Sequence, residues 1–96
     1  GKNISPANLE GALKAFPLIG QVCVIGDQRP FISALLVLDP EVAPAWAANQ
    51  GIEETALGAL AEHPQVLAEI QANVDVANAR FARVEQVKRF VVLGEE

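Results

Sequence analysis

Ninety-six residues suffice for one small domain, and a hydrophobic content of 51% supplies a core and excludes a disordered chain. The formal net charge of −5 argues against a nucleic-acid backbone as partner. No apolar run approaches the roughly 20 residues that span a bilayer, and no signal-peptide arrangement is present.

The chain holds no Met and opens on Gly1, so it reads as a piece of a longer polypeptide. Cys23 is its single cysteine, which leaves no internal disulfide and fits a reducing compartment. Asn3-Ile4-Ser5 formally matches a glycosylation sequon, but nothing else points to secretion.

The first helix is announced by Ser5, a good N-cap, and Pro6, which has no N–H to lose at the first helical position. Asn8 stands where a reciprocal capping box wants Glu or Gln. Leu9, Ala12, Leu13 and Phe16 then form one apolar stripe, and Pro17 ends the helix. Ile19 to Ile25 contains the run Val22-Cys23-Val24-Ile25 and predicts a strand buried on both faces. Gly26-Asp27-Gln28-Arg29-Pro30 has turn chemistry, and Phe31 to Leu38 is a second apolar strand. So short a connection predicts an antiparallel hairpin.

Asp39-Pro40 is a second cap-and-proline start, with Glu41 where the helix dipole favours a carboxylate. That helix carries Val42 and Trp46 on one face and stops at Gly51. Glu53 and Glu54 are expected to open a short helix with Leu57, Leu60 and Ala61 inside, broken by His63-Pro64. Pro64 starts the longest helix, with an expected stripe of Leu67, Ile70, Val74, Ala77 and Phe81. Val87 to Leu93 returns to strand character. The predicted class is α+β in the order α-β-β-α-α-α-β: a hairpin and a C-terminal strand in one three-stranded sheet, packed against helices.

Chemistry-bearing residues are sparse. His63 has no Cys or carboxylate at metal-ligand spacing, which favours a structural role and predicts no metal site. Cys23, between two valines, is expected to be a small buried hydrophobe. No phosphate-cradling glycine motif occurs, and Ser5 and Ser33 lack a base partner, so no catalytic residue is assigned. Trp46 reads as a core anchor. Arg80, Arg83, Lys88 and Arg89 gather near the end of the long helix, as a solvated charged face or as a docking surface for an acidic partner or nucleotide phosphates.

Several segments, in order along the chain, carry a resemblance. Gly1-Lys2-Asn3-Ile4-Ser5-Pro6 is similar to a loop of form Gly-x-x-Ile-x-Pro, and Leu9-Glu10 to the helix that follows it. Gly26-Asp27-Gln28-Arg29-Pro30-Phe31 with Ala34-Leu35, and Val84-Glu85-Gln86-Val87-Lys88-Arg89-Phe90, extend the match over nearly the whole chain. Together they resemble the C-terminal lid of the AMP-forming acyl-CoA synthetases, in their long-chain fatty-acid branch. The resemblance implies one lid domain over residues 1–96, inactive alone, which moves against the N-terminal adenylation domain of the same parent chain. It implies a cytoplasmic parent, or one peripheral to a membrane, that uses ATP, Mg2+ and coenzyme A, none of them bound by this piece. It places Gly1 and Lys2 in a loop beside the coenzyme A channel. The hinge residue would precede Gly1 and the lysine that contacts the acyl-adenylate would follow Glu96, so neither Lys2 nor Lys88 takes that role. Two other readings stay open: a lid acting on another carboxylate, and a stand-alone α+β binding or regulatory module.

Overall fold

The computed structural model describes residues 6–26, 32–81 and 86–94. Its elements are α1 (Pro6–Lys14), β1 (Ile19–Ile25), β2 (Ile32–Leu38), α2 (Val42–Asn49), α3 (Leu57–Leu60), α4 (Pro64–Asn78) and β3 (Val87–Leu93), in the predicted order. They build one three-stranded sheet with β2 in the middle. β1 and β2 run antiparallel, with Cys23 opposite Leu35 and Val24 opposite Ala34, as the short connection requires. β3 lies parallel to β2, with Leu35 opposite Val91 and Leu36 opposite Val92. Parallel neighbours need a long crossover, and α2, α3 and α4 provide it.

Burial in β2 alternates strictly. Ile32, Ala34, Leu36 and Leu38 are buried, and the residues between them are half-buried. Leu9, Ala12 and Leu13 of α1 and Val66, Ile70, Val74 and Ala77 of α4 belong to the same buried cluster. Each fully buried Leu, Ile or Val side chain contributes about 1.5–3 kcal/mol of transfer free energy, so this cluster dominates the stability. Phe16, Trp46 and Phe81 pack against it while partly exposed, which gives Trp46 its expected anchoring place.

Two expectations about burial are corrected here. β1 is not buried on both faces, because Gln21 and Cys23 are exposed. It is an edge strand, and α1 packs against it from one side. The stripe of α4 is buried as predicted at Ile70, Val74 and Ala77, but it differs at its first member. Val66 is fully buried and Leu67 only half-buried, and the polar Asn73 shares the buried side. No buried side-chain nitrogen or oxygen among the described residues lacks a hydrogen-bond partner.

The helix starts are built from side-chain acceptors. Asp39 Oδ1 accepts from the backbone N–H groups of Glu41 and Val42, both at 2.9 Å. These two bonds, that from Val42 first, hold its carboxyl below the usual carboxylate range. The helix itself begins at Val42, so Pro40 lies in the preceding turn rather than at the first helical position. Past its end, Gly51 adopts φ +80°, the left-handed conformation that favours glycine. Glu54 Oε2 accepts from the N–H groups of Thr55 and Ala56 at 3.1 and 3.0 Å, and α3 starts at Leu57, later than the acidic pair suggested. Ahead of Pro64, His63 Nδ1 accepts from the N–H of Gln65 at 3.1 Å and caps α4. That gives the lone histidine its structural role.

Candidate functional site

Gly1 and Lys2, the residues assigned to the channel loop, lie outside the described residues, as do the Ser5 cap and Arg83. The described residues show the frame into which that loop runs. α1 begins at Pro6, the position expected from the sequence. Its Leu9 is buried in the core, whereas Glu10 turns to the sheet edge, where its Oε2 accepts from the backbone N–H of Val24 at 3.2 Å. An edge strand leaves such N–H groups open to a foreign strand, and a carboxylate placed there blocks that pairing. The Leu9-Glu10 pair therefore fixes α1 to both the core and the rim of β1.

At the other end of the frame, Asn78 ties the last turn of α4 to the start of β3. Its Nδ2 donates to the carbonyl oxygen of Val87 at 3.0 Å, and its Oδ1 accepts from the N–H of Val87 at 2.8 Å. One side-chain amide thus reproduces the two bonds that a neighbouring strand would make. Gln86 adds a second tie, with Nε2 donating to the carbonyl of Asn78, the last residue of α4, at 3.0 Å and to that of Phe81 in the following turn at 3.2 Å. Neither amide carried a signal in the sequence. Asn8, Gly11 and Ala12 of α1 and Arg80 and Phe81 beyond α4 line a shallow depression of about 430 Å³ between these elements.

A second cleft, of about 210 Å³, sits where the strands meet α3. Gly20, Val37, Leu38, Pro40, Leu57 and Gly94 are among its walls. Here Gly94 passes so close to α3 that a Cβ on it would lie 2.5 Å from the carbonyl carbon of Leu57. Only glycine allows that approach without displacing backbone. The exit of β3 is therefore set by contact with α3.

The remaining candidates divide clearly. Arg80, Lys88 and Arg89 are exposed, in keeping with a charged outer face. Cys23, expected inside, is exposed on β1, because no helix among the described residues covers the strand face that carries it. Ser33 is half-buried on β2. Among the described residues no three His, Cys, Asp or Glu side chains come together in a group that could hold a metal ion. Nor, among them, is any helix long and apolar enough to cross a membrane.

Comparison with known proteins places this frame. Long-chain-fatty-acid–CoA ligase FadD15 of Mycobacterium tuberculosis is 43% identical over 94 residues, covering 97% of this chain and 16% of the relative. The putative fatty-acid–CoA ligase fadD11 of the same species is 46% identical over 94 residues, with the same coverage. The chain thus spans about one-sixth of the length of the curated relatives it matches. Among solved structures, the adenylation domain of a carboxylate reductase from Mycobacterium chelonae shares the fold with a TM-score of 0.66 at 23% identity, over 96% of this chain and 13% of that one. The sequence model for the AMP-binding enzyme C-terminal domain matches residues 1–95, and the chain belongs to that family.

Proposed function

We propose that this chain is the mobile lid of a long-chain fatty-acid–CoA ligase, working against the N-terminal adenylation domain of its own polypeptide. The observation that carries this reading is the match over 97% of the chain to relatives named as fatty-acid–CoA ligases, at 43% and 46% identity. In such an enzyme the fatty-acid carboxylate attacks the α-phosphorus of ATP and pyrophosphate leaves. The thiol of coenzyme A then attacks the acyl-adenylate carbonyl and AMP leaves. Mg2+ would neutralise phosphate charge on the larger domain.

The lid's own part is positional. The loop at Gly1 and Lys2 would face the active site during thioester formation and turn away during adenylation. A missing side chain at Gly1 lets backbone approach the thin pantetheine arm closely. Lys2 would attract coenzyme A phosphates, an effect that solvent keeps small. The frame described above supports this by fixing the direction in which α1 leaves the loop. We assign the parent to the cytoplasm or to the periphery of a membrane.

The test uses the full-length polypeptide with Gly1→Leu. Single-turnover rates of adenylate formation and of thioester formation from palmitate separate the two half-reactions. The thioester step should fall far more than adenylation. Equal losses in both steps, or a selective loss of adenylation, would show that the loop serves the other half of the cycle. Failure of the wild-type protein to form palmitoyl-CoA at all would discard the fatty-acid reading.

A further inference from the structure

The two faces of the sheet differ in kind. On the inner face, Val24, Ala34 and Phe90 stand side by side across the strands, as do Val22, Leu36 and Val92, and all six belong to the core or pack against it. On the outer face the register aligns Cys23 with Leu35 and Val91, Gln21 with Val37 and Leu93, and Ile25 with Ser33 and Arg89. The middle row is wholly apolar, yet Cys23 is exposed and Val91 is 53% exposed. Leu93 is 37% exposed, and its row borders the cleft beside Leu57.

An apolar row with Leu35 half-buried at its centre and Cys23 and Val91 exposed on either side offers a seat, and its size limits the kind of occupant. Three strands about 4.8 Å apart and three rows about 7 Å apart give a face on the order of 300 Å². A stable interface between free proteins buries about 800 Å² per partner, so a second copy of this chain would not be held by this face. A covalently attached partner is different, because tethering presents it at about millimolar effective concentration and a small patch then suffices. The relatives extend far beyond this domain, which covers 16% of their length, so such a tethered body exists in them. A weak, reversible seat is also what a lid that must lift off requires.

We propose that the outer sheet face, centred on Leu35 and Val91, is the surface by which this domain seats on the N-terminal adenylation domain of its own polypeptide, burying Cys23. This rests on the lid reading and adds to it which face of the domain docks.

Cys23 is the reporter. The full-length polypeptide is treated with N-ethylmaleimide in three states: without ligand, with ATP and palmitate, and with palmitate, AMP and the thiol-free analogue desulfo-coenzyme A. Alkylation of the Cys23 peptide is followed by mass spectrometry. In at least one state it should be about tenfold slower in the wild type than in Val91→Glu, and independent of protein concentration over about a fiftyfold range. Leu93→Glu provides a second disrupting variant should Val91→Glu fail to fold. Val76→Glu, at a 58% exposed position on α4, should retain wild-type protection. Equal rates in wild type and disrupting variants in all three states would overturn the proposal. Protection that grows with concentration would also overturn it, in favour of a second copy. Palmitoyl-CoA formation is measured on the same samples. Activity with unprotected Cys23 discards the docking face and keeps the lid reading, whereas concentration-independent protection without activity keeps the docking face and discards the fatty-acid assignment.

Discussion

Replacing Asn78 by Ala should loosen β3 from the rest of the domain. The substitution removes two hydrogen bonds, at 2.8 and 3.0 Å, from the first residue of that strand. Each is worth about 0.5–1.5 kcal/mol net, and the half-buried setting lets water recover part of the loss, so about 2 kcal/mol is expected. A chain of this length has about 5–14 kcal/mol in total, so the change is a large fraction of it. With a urea slope of about 1.5 kcal/mol per molar, the midpoint should fall by about 1.3 M. Asn78→Asp is the sharper variant. It keeps an acceptor for the Val87 N–H but sets a second oxygen against the Val87 carbonyl, where the amide had a donor. At neutral pH it should be at least as unstable as the alanine variant, because one bond becomes an oxygen–oxygen repulsion. Urea melts give the stability, and amide exchange at Val87 tests whether the loss is local. Unchanged midpoints and unchanged Val87 protection in both variants would refute the reasoning, and would mean that pairing with β2 alone holds the strand.

Asp39→Asn tests the carboxylate at the start of α2. Because the folded pKa is depressed, the charge stabilises the domain above the unfolded value near 3.8 and the benefit is lost as pH falls through the folded pKa. Wild type should therefore exceed the variant at neutral pH and converge with it in strong acid; parallel stability curves throughout would count against the cap. Glu10→Ala should cost about 1 kcal/mol and Glu10→Gln less, since the amide oxygen still accepts from Val24; an unchanged urea midpoint in Glu10→Ala would show that the contact at the strand edge contributes nothing. Gly94→Ala should cost about 1–3 kcal/mol through overlap with the Leu57 backbone, read as a lowered thermal midpoint, whereas an unchanged midpoint would mean that β3 leaves by another path.

Much of the architecture was legible because local chemistry and global fold agree. The hairpin, the order of elements, the stop at Gly51 and the start at Pro64 followed from turn residues, caps and proline positions. Four consecutive apolar residues at Val22 to Ile25 gave no alternation from which to read an open face. Whether that second face is covered is decided by where helices pack, which no local pattern encodes. The exchange of Leu67 for Val66 at the start of the buried stripe of α4 has a similar origin: the two are adjacent and both apolar, so the sequence does not decide between them. His63 gives no cap signal in the sequence because imidazole is an uncommon cap, although its Nδ1 does the work of a Ser or Asp oxygen. The parallel placement of β3 was out of reach, because strand direction depends on the route of three intervening helices. As for the site, Leu9-Glu10 was visible only through its resemblance to a family motif, while the Asn78 clamp joins residues that nothing in their spacing pairs.

The parallel pairing of β2 with β3 also imposes a timetable on synthesis. The β1–β2 hairpin is local and such hairpins form in about 1–10 µs, but β3 reaches its place only after the whole crossover has been made. Because β3 is the last described element of the chain, it leaves the ribosome after everything it packs against. Until then one side of the central strand has free backbone N–H and C=O groups, and Leu36 lacks Val92 beside it. A polypeptide halted just before Val87 would hold nearly all of its core residues and yet present a raw strand edge to its neighbours. Termination just before Val87 should therefore yield a sticky species rather than a slightly shortened domain.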